Sequence, residues 1–252
     1  MARKPLILLT NDDSIKAPGL RILIECVRSL GEVVVVAPDR PQSGTAHAVT
    51  VNVPLRLELI NREQSFTEYS CSGTPADCVK LAFKVVLNRR PDFIFSGINH
   101  GSNASINIIY SGTMAAVLEG AMAGVPSVGF SLDNYSVQAD FTPARSFVSK
   151  IASKVIEKGL PAGISLNVNL PSVKKIHGIK VCRQAGGTWQ EDFDIREDPH
   201  GRKYYWLKGM FVKTDHGEDT DEWALEHGYV AIVPVHFDFT ASKELRMIKS
   251  WF

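Results

Sequence analysis

The sequence predicts an α/β fold: a doubly wound, mostly parallel sheet with helices on both faces. Three observations predict it. Short apolar runs, Leu6–Leu9 and Glu32–Ala37 (EVVVVA), read as strands buried on both sides. They alternate with amphipathic stretches at helical spacing, Leu20–Leu30 and Ala144–Lys158. That β–α–β order implies parallel neighbours joined by right-handed crossovers. Polar loops follow the strands at their carboxyl ends, the edge where open α/β sheets bind ligands.

The first strand stops at Thr10-Asn11-Asp12-Asp13, and Pro18-Gly19 breaks the chain before the first helix. Gly31 is the expected cap of that helix. The second strand leads into the loop Pro38–His47 (PDRPQSGTAH). Val49–Leu59 and Phe66–Cys71 read as extended arms around a polar turn at Asn61–Gln64. Thr74-Pro75-Ala76-Asp77 is a helix start, with a capping hydroxyl, a proline at the first position and an acid in the first turn. That helix is expected to reach about Asn88. Asp92–Ser96 is a strand, and Gly97–Asn103 (GINHGSN) a loop. Ser111-Gly112-Thr113 opens a small-residue helix over Met114–Ala123, closed by Gly124. Strands over Pro126–Ser131 and Ile164–Val168 bracket the helix Ala144–Lys158.

Beyond about Leu170 the composition shifts. Ile179–Val181 is a candidate strand. Trp189–Lys208 mixes tryptophan, tyrosine and charge around a turn signal at Asp198-Pro199-His200-Gly201, and an exposed aromatic hairpin suits subunit contact. Thr220–His227 is a short helix, Tyr229–Val235 a last strand, and Leu245–Phe252 an amphipathic tail. Residues 1–175 are therefore expected to form the catalytic core. Residues 176–252 add the hairpin, the last strand and the tail, completing a single domain.

Composition narrows the function classes. In 252 residues, 28 basic and 27 acidic side chains leave a formal net charge of +1, which carries no footprint for a nucleic-acid polymer or an anionic membrane. Four scattered cysteines form no CxxC pair, so free thiols in a reducing compartment are expected. The start MARKPLILLT offers only a brief apolar run before Asn11, too short for a signal peptide or a membrane span. The cytoplasm is the expected compartment.

The chemistry gathers in the loops at the carboxyl ends of the strands. Adjacent Asp12 and Asp13 repel each other unless a cation sits between them. Ser43-Gly44 and Asn99–Asn103 add hydroxyls and amides, and an all-oxygen set suits a hard cation such as magnesium, manganese or calcium. Ser111, Gly112 and Thr113 at a helix start supply free N–H groups and two hydroxyls, an anion cradle. A cation beside an anion cradle is the arrangement that phosphoryl chemistry requires. Asn103, Ser111, Gly112 and Thr113 are the expected phosphate contacts, and Gly44 lets backbone approach the ligand. His47 and His100 flank this region and are left outside the catalytic set.

Taken together, TNDDS-x-x-APGL, PDRPQSG, SGTPADC, SGINHGSN and YSGT-x-x-AA-x-EG resemble the motif series of the SurE family of survival-protein nucleotidases. The resemblance implies a Rossmann-like core and a metal-dependent phosphatase acting on nucleoside monophosphates through metal-activated water. The activity the resemblance implies is that of a 5′-nucleotidase, with 3′-nucleotides and short polyphosphate as further substrates to test. One divalent cation per subunit, magnesium or manganese, would be held by Asp12, Asp13, Ser43 and Asn99, with Asp12 or Asp13 also serving as base. The resemblance further implies a homodimer or homotetramer built through a C-terminal hairpin. The chain departs from the family at Ser14, where the family usually carries glycine. If that position needs a positive φ, serine is strained there. The competing reading is a receiver-like magnesium-binding signalling module, which also places an acidic pair after its first strand. A receiver needs an acceptor aspartate at the end of a middle strand, where this chain has Ser96 and Asn99. A dinucleotide-binding module is disfavoured because no GxGxxG follows the first strand.

Overall fold

A computed structural model describes residues 3–136 and 138–252. Its centre is a nine-stranded sheet. The strands are β1 (Leu6–Thr10), β2 (Glu32–Pro38), β3 (Leu57–Glu63), β4 (Phe66–Cys71), β5 (Phe93–His100), β6 (Ser127–Leu132), β7 (Ile164–Leu170), β8 (Gly178–Val181) and β11 (Tyr229–His236). Their spatial order is β3-β4-β2-β1-β5-β6-β7-β11-β8. The pairs from β4 through β7 are parallel, while β3–β4 and β7–β11 are antiparallel. The two remaining strands, β9 (Gly187–Glu197) and β10 (Lys203–Lys213), form a separate antiparallel ribbon.

The strand period of two explains the layering. Ile7 and Leu9 of β1 face one side, against Leu20, Leu23 and Val27 of α1 (Pro18–Val27) and Val148 and Ile151 of α4 (Arg145–Lys158). Leu6 and Leu8 face the other, against Val79 of α2 (Pro75–Leu81) and Ala116 of α3 (Gly112–Met122). Every residue of β1 is buried. The chain leaves β1 toward β2 on one side and returns to β5 on the other. The strand order therefore reverses between β1 and β5, and a crevice opens at their carboxyl ends.

Four expectations need correction. The arm from Val49 onward is strand only from Leu57; Val49, Val51 and Val53 are exposed and no neighbouring strand pairs them. The helix beginning at Pro75 is α-helical only to Leu81, and a π-helical turn takes Ala82–Val86. Gly31 does not cap α1, which ends on Arg28 with its N–H donated to the Ile24 carbonyl. Glycine is needed at 31 because a Cβ there would lie 2.3 Å from the Pro5 carbonyl oxygen. Finally, β5 continues through Gly97 to His100, with a register shift against β6 between Ser96 and Asn99. Asn99 therefore stands on the last turn of a buried strand, not in a free loop.

Other local choices follow the sequence chemistry. Thr74 and Asp77 close a reciprocal capping box on α2. Ser111 caps α3 by accepting from Met114 N–H at 3.1 Å. Thr220 caps α5 (Asp221–Glu226) by accepting from Trp223 N–H. The tail forms α6 (Leu245–Lys249), none of whose residues is buried.

Candidate active site

The first strand delivers two carboxylates into the crevice. The turn after it is fixed by backbone bonds: Gln42 N–H donates to the Asp12 carbonyl at 2.7 Å, and Ile15 N–H to the Pro38 carbonyl at 2.7 Å. Asn11 Nδ2 donates to the Ser14 carbonyl at 2.9 Å. Ser14 adopts φ 99°, the conformation that glycine takes without strain.

Asp12 and Asp13 are held differently. Asp12 is 3% exposed, and its Oδ1 accepts the Thr113 hydroxyl at 2.5 Å. Asp13 is less buried, and its Oδ2 accepts the His100 N–H at 2.9 Å. Burial, followed by the charge of Asp13, pushes the Asp12 carboxyl up to about 6. Burial also raises Asp13, against the opposing pull of the His100 N–H. Two carboxylates are thus kept where water solvates them poorly, and the charge of Asp13 makes ionisation of Asp12 harder.

The N-terminus of α3 approaches this pair closely. A Cβ on Gly112 would lie 2.9 Å from Asp12 Cβ and 3.1 Å from its Oδ2. Gly112 is therefore the residue that lets the carboxylate sit against the helix start, where partial positive charge stabilises it. Thr113 is fully buried, and its hydroxyl is committed to Asp12. The sequence expects that hydroxyl on phosphate; the structure gives it, together with the Thr113 backbone N–H, to the Asp12 carboxylate.

The amides complete the wall. Asn99 donates Nδ2 to the Gly101 carbonyl at 2.9 Å, which fixes the amide and leaves its Oδ1 as the free end. Asn103 is buried in a polar lattice. Its N–H donates to Asn169 Oδ1 at 2.8 Å, its Nδ2 to Ser131 Oγ at 2.7 Å, and its carbonyl accepts from Asn167 Nδ2 at 2.8 Å. Ser43 and Gly44 are exposed in the loop opposite. Gly44 has φ 71° and open space around it, so the turn, not crowding, calls for glycine there.

A cleft of about 160 Å³ brings together Asp12, Ser43, Gly44, Asn99, Asn103 and Ser111. Asp13 and Thr113 stand behind it through their bonds to His100 and Asp12. His100, Ser102, Asn107, Tyr110 and Tyr135 also line the cleft. Of these, Asn107 and Tyr135 lie in no motif, and Tyr110 opens the YSGT motif but has no role assigned from the sequence. Tyr135 follows β6, so the same rule about carboxyl ends that singled out Asp12 reaches it. Gly101, at φ 94°, makes room for its ring: a Cβ would lie 2.2 Å from Tyr135 Cε1. His47 Nε2 lies 2.8 Å from Glu119 Oε1, and Lys80 bonds the same carboxylate at 2.7 Å. This network anchors the Ser43 loop to α2 and α3 and holds His47 away from the carboxylate pair.

Comparison with known proteins agrees with this geometry. A family model described as survival protein SurE matches residues 7–191. The chain is 56% identical over 253 residues to 5′-nucleotidase SurE of Christiangramia forsetii, covering 99% of this chain and 97% of that protein. It is 54% identical over 251 residues to 5′-nucleotidase SurE of Flavobacterium psychrophilum, covering 98% of each. The crystal structure of SurE protein from Aquifex aeolicus superposes with a TM-score of 0.83 at 39% identity, covering 98% of this chain and 99% of that one. Likeness of this extent, in sequence and in fold, has one consequence: the chain belongs to the survival protein SurE family.

Proposed function

We propose that this protein is a divalent-cation-dependent 5′-nucleotidase that hydrolyses nucleoside monophosphates to nucleoside and phosphate. The observation that carries the reading is buried Asp12, seated against the start of α3 at Gly112 with Asp13 beside it. A carboxyl raised by burial and by a charged neighbour is relieved by a cation. The donors within reach are all oxygens, which suits magnesium or manganese. Asp12, Asp13, Ser43 and the free Oδ1 of Asn99 would hold the ion. When bound, the ion neutralises phosphate charge and acidifies water.

The protein's own groups divide the remaining work. The backbone N–H of Gly112 and the Ser111 hydroxyl would meet the phosphate at the positive end of α3, while Thr113 holds Asp12 in place. Gly44 and Asn103 close the two sides. Asp12 and Asp13 are the carboxylates positioned to accept a proton. The receiver-like alternative finds no support: β5 ends in Ser96, Gly97, Ile98, Asn99 and His100, with no acceptor carboxylate. The relatives named 5′-nucleotidase favour the phosphatase.

Two further assignments belong to the same reading. The β9–β10 ribbon joins copies of the chain as a homodimer or homotetramer. The compartment is the cytoplasm, which agrees with the four free cysteines; no helix among the described residues is long and apolar enough to cross a membrane.

The test is phosphate release from AMP with magnesium, manganese or calcium, and with chelator, on wild type and Asp13→Asn. Release is expected only with cation. Asp13→Asn should lower the rate on the order of a hundredfold, the scale of losing one well-placed charge-stabilising group. The metal-free variant should melt no lower than wild type, because Asp12 loses its like-charged neighbour. Full activity after verified metal removal overturns the proposal.

A further inference from the structure

A strand buried on both faces of a parallel sheet is ordinarily apolar on both. β7 (ISLNVNL) is not. Val168 and Leu170 lie in the core beneath α1 and α4, but the alternate residues Ser165, Asn167 and Asn169 are polar and equally buried. Their neighbours on β6 continue the polar face: Ser165, Asn167 and Asn169 stand beside Ser127, Gly129 and Ser131. A sheet takes its ladder bonds from the backbone, so these amides are surplus to the strand. A buried amide is unfavourable unless its donor and its acceptor are both used.

The two asparagines use theirs in a closed ring. Asn103 N–H donates to Asn169 Oδ1 at 2.8 Å, Asn169 Nδ2 to Asn167 Oδ1 at 3.2 Å, and Asn167 Nδ2 to the Asn103 carbonyl at 2.8 Å. The ring thus returns to the residue where it began and takes both backbone groups of Asn103. The Ser102 hydroxyl lies 3.4 Å from the same Asn169 Oδ1. Ser131 completes the fixation by accepting one Asn103 Nδ2 hydrogen at 2.7 Å, which leaves that amide a second hydrogen to donate.

Asn99, His100, Ser102 and Asn103 form one continuous wall of the cleft at the carboxylate pair. The front of this wall is held by the sheet, where Asn99 and His100 pair with Ser131 and Leu132 of β6. Its rear leaves the sheet and runs into Ser105, whose φ of 54° is a conformation that a non-glycine residue keeps only when its surroundings impose it. Beyond that point Asp221 Oδ2 accepts the Ser105 N–H at 2.9 Å. Before it, the asparagine ring is the clamp.

We infer that Asn167 and Asn169 are positioning residues of the hydrolytic site. Neither lines the cleft. They fix the rear of its wall so that the second amide hydrogen of Asn103 meets the phosphate. The inference rests on the phosphatase reading above and adds two residues on a buried strand to the machinery that reading requires.

The experiment uses the full chain with Asn167→Ala, Asn169→Ala, both together, and Ser131→Ala. Calorimetry measures binding of magnesium alone and of inorganic phosphate in the presence of magnesium; melting and AMP kinetics accompany it. Each asparagine variant should raise the phosphate Kd about tenfold, the scale of losing one hydrogen bond to a charged oxygen. The kcat/KM on AMP should fall in parallel. The magnesium Kd should stay within about twofold, because the proposed ligands are held by other contacts. The double variant should be no more than about twofold worse than either single one, because one break already opens the ring. Ser131→Ala removes a single oxygen and frees only the Asn103 amide, so the phosphate Kd should rise about threefold. A lowered melting temperature with an unchanged phosphate Kd overturns the inference and gives the asparagines to the fold alone. Equal losses of magnesium and phosphate binding, or losses that multiply in the double variant, overturn it as well. If the alanine variants do not fold, an unchanged phosphate Kd in Ser131→Ala overturns it. If wild type binds phosphate but releases none from AMP, the phosphatase reading fails, and the phosphate Kd of the variants still decides whether the ring positions an anion site.

Discussion

At the scale of single residues, the acidic pair and its neighbours were legible because their chemistry is local. Two adjacent aspartates at a strand end have few structural uses, and Ser-Gly-Thr before an apolar helix marks a helix start in any fold. What the sequence could not convey was which partner each side chain chooses. The Thr113 hydroxyl goes to Asp12, and Gly112 is there to avoid a clash with that same carboxylate, a contact spanning about a hundred residues. Ser14 is the residue whose cost was anticipated, and the structure supplies the reason in its φ of 99°. A non-glycine residue held in that region costs on the order of 1–3 kcal/mol, offset for glycine by its greater freedom in the unfolded chain. Ser14→Gly is therefore expected to stabilise the protein by about 1 kcal/mol in denaturant unfolding. An unchanged or lower midpoint would mean that the Ser14 side chain repays the strain.

At the scale of elements, the apolar runs and caps were enough to find nearly every strand and helix. The misses have physical causes. β5 outran its predicted end because Ile98 is buried in the core despite the glycine before it. The arm at Val49 looked like strand by alternation, but no neighbour takes its hydrogen bonds. α5 shows how an element can carry opposed demands. Its first turn holds Asp221 and Glu222, which suits the positive end of a helix. Burial, then Asp221 and Asp133, nonetheless push the Glu222 carboxyl up to about 7. The sign follows directly. A carboxyl whose folded value is raised keeps its proton longer in the native state than in the unfolded one. Its contribution is complete at low pH and is lost as pH rises from the unfolded value through about 7. Glu222→Gln removes that loss. Stability curves of variant and wild type should diverge as pH rises from about 4.5 to about 7 and stay a constant distance apart above that, with the variant more stable. Parallel curves across that range would show that Glu222 is solvated well enough to ionise normally.

At the scale of the whole molecule, the β9–β10 ribbon stands apart from the nine-stranded sheet. The pairing of β9 with β10 places Phe193 opposite Leu207 and Ile195 opposite Tyr205. Directly opposed residues share a face, so these four lie on one side with Glu191 and Glu197, while Asp192, Asp194, Arg196 and Lys208 lie on the other with Tyr204, Trp206 and Met210. Phe193, Ile195, Tyr205 and Leu207 are each more than half exposed. A two-stranded ribbon is marginal in water by itself, and an apolar face of this kind calls for a cover. The same face continues to Trp189 and Phe211 at the root of the ribbon. Excising residues 193–207 and joining Asp192 to Lys208 through Asn-Gly keeps Trp189 and removes the apolar face; Asn-Gly is the turn that a tight antiparallel pair accepts. Wild type is expected to run as a dimer or tetramer by light scattering, and the shortened chain as a smaller species that still unfolds cooperatively. Ile195→Glu, which leaves the ribbon its length, should weaken assembly in the same direction, because a charge set in the middle of a covered apolar face must be desolvated. Equal mass for wild type and both variants would assign the contact to another surface, such as the exposed tail at Leu245–Lys249.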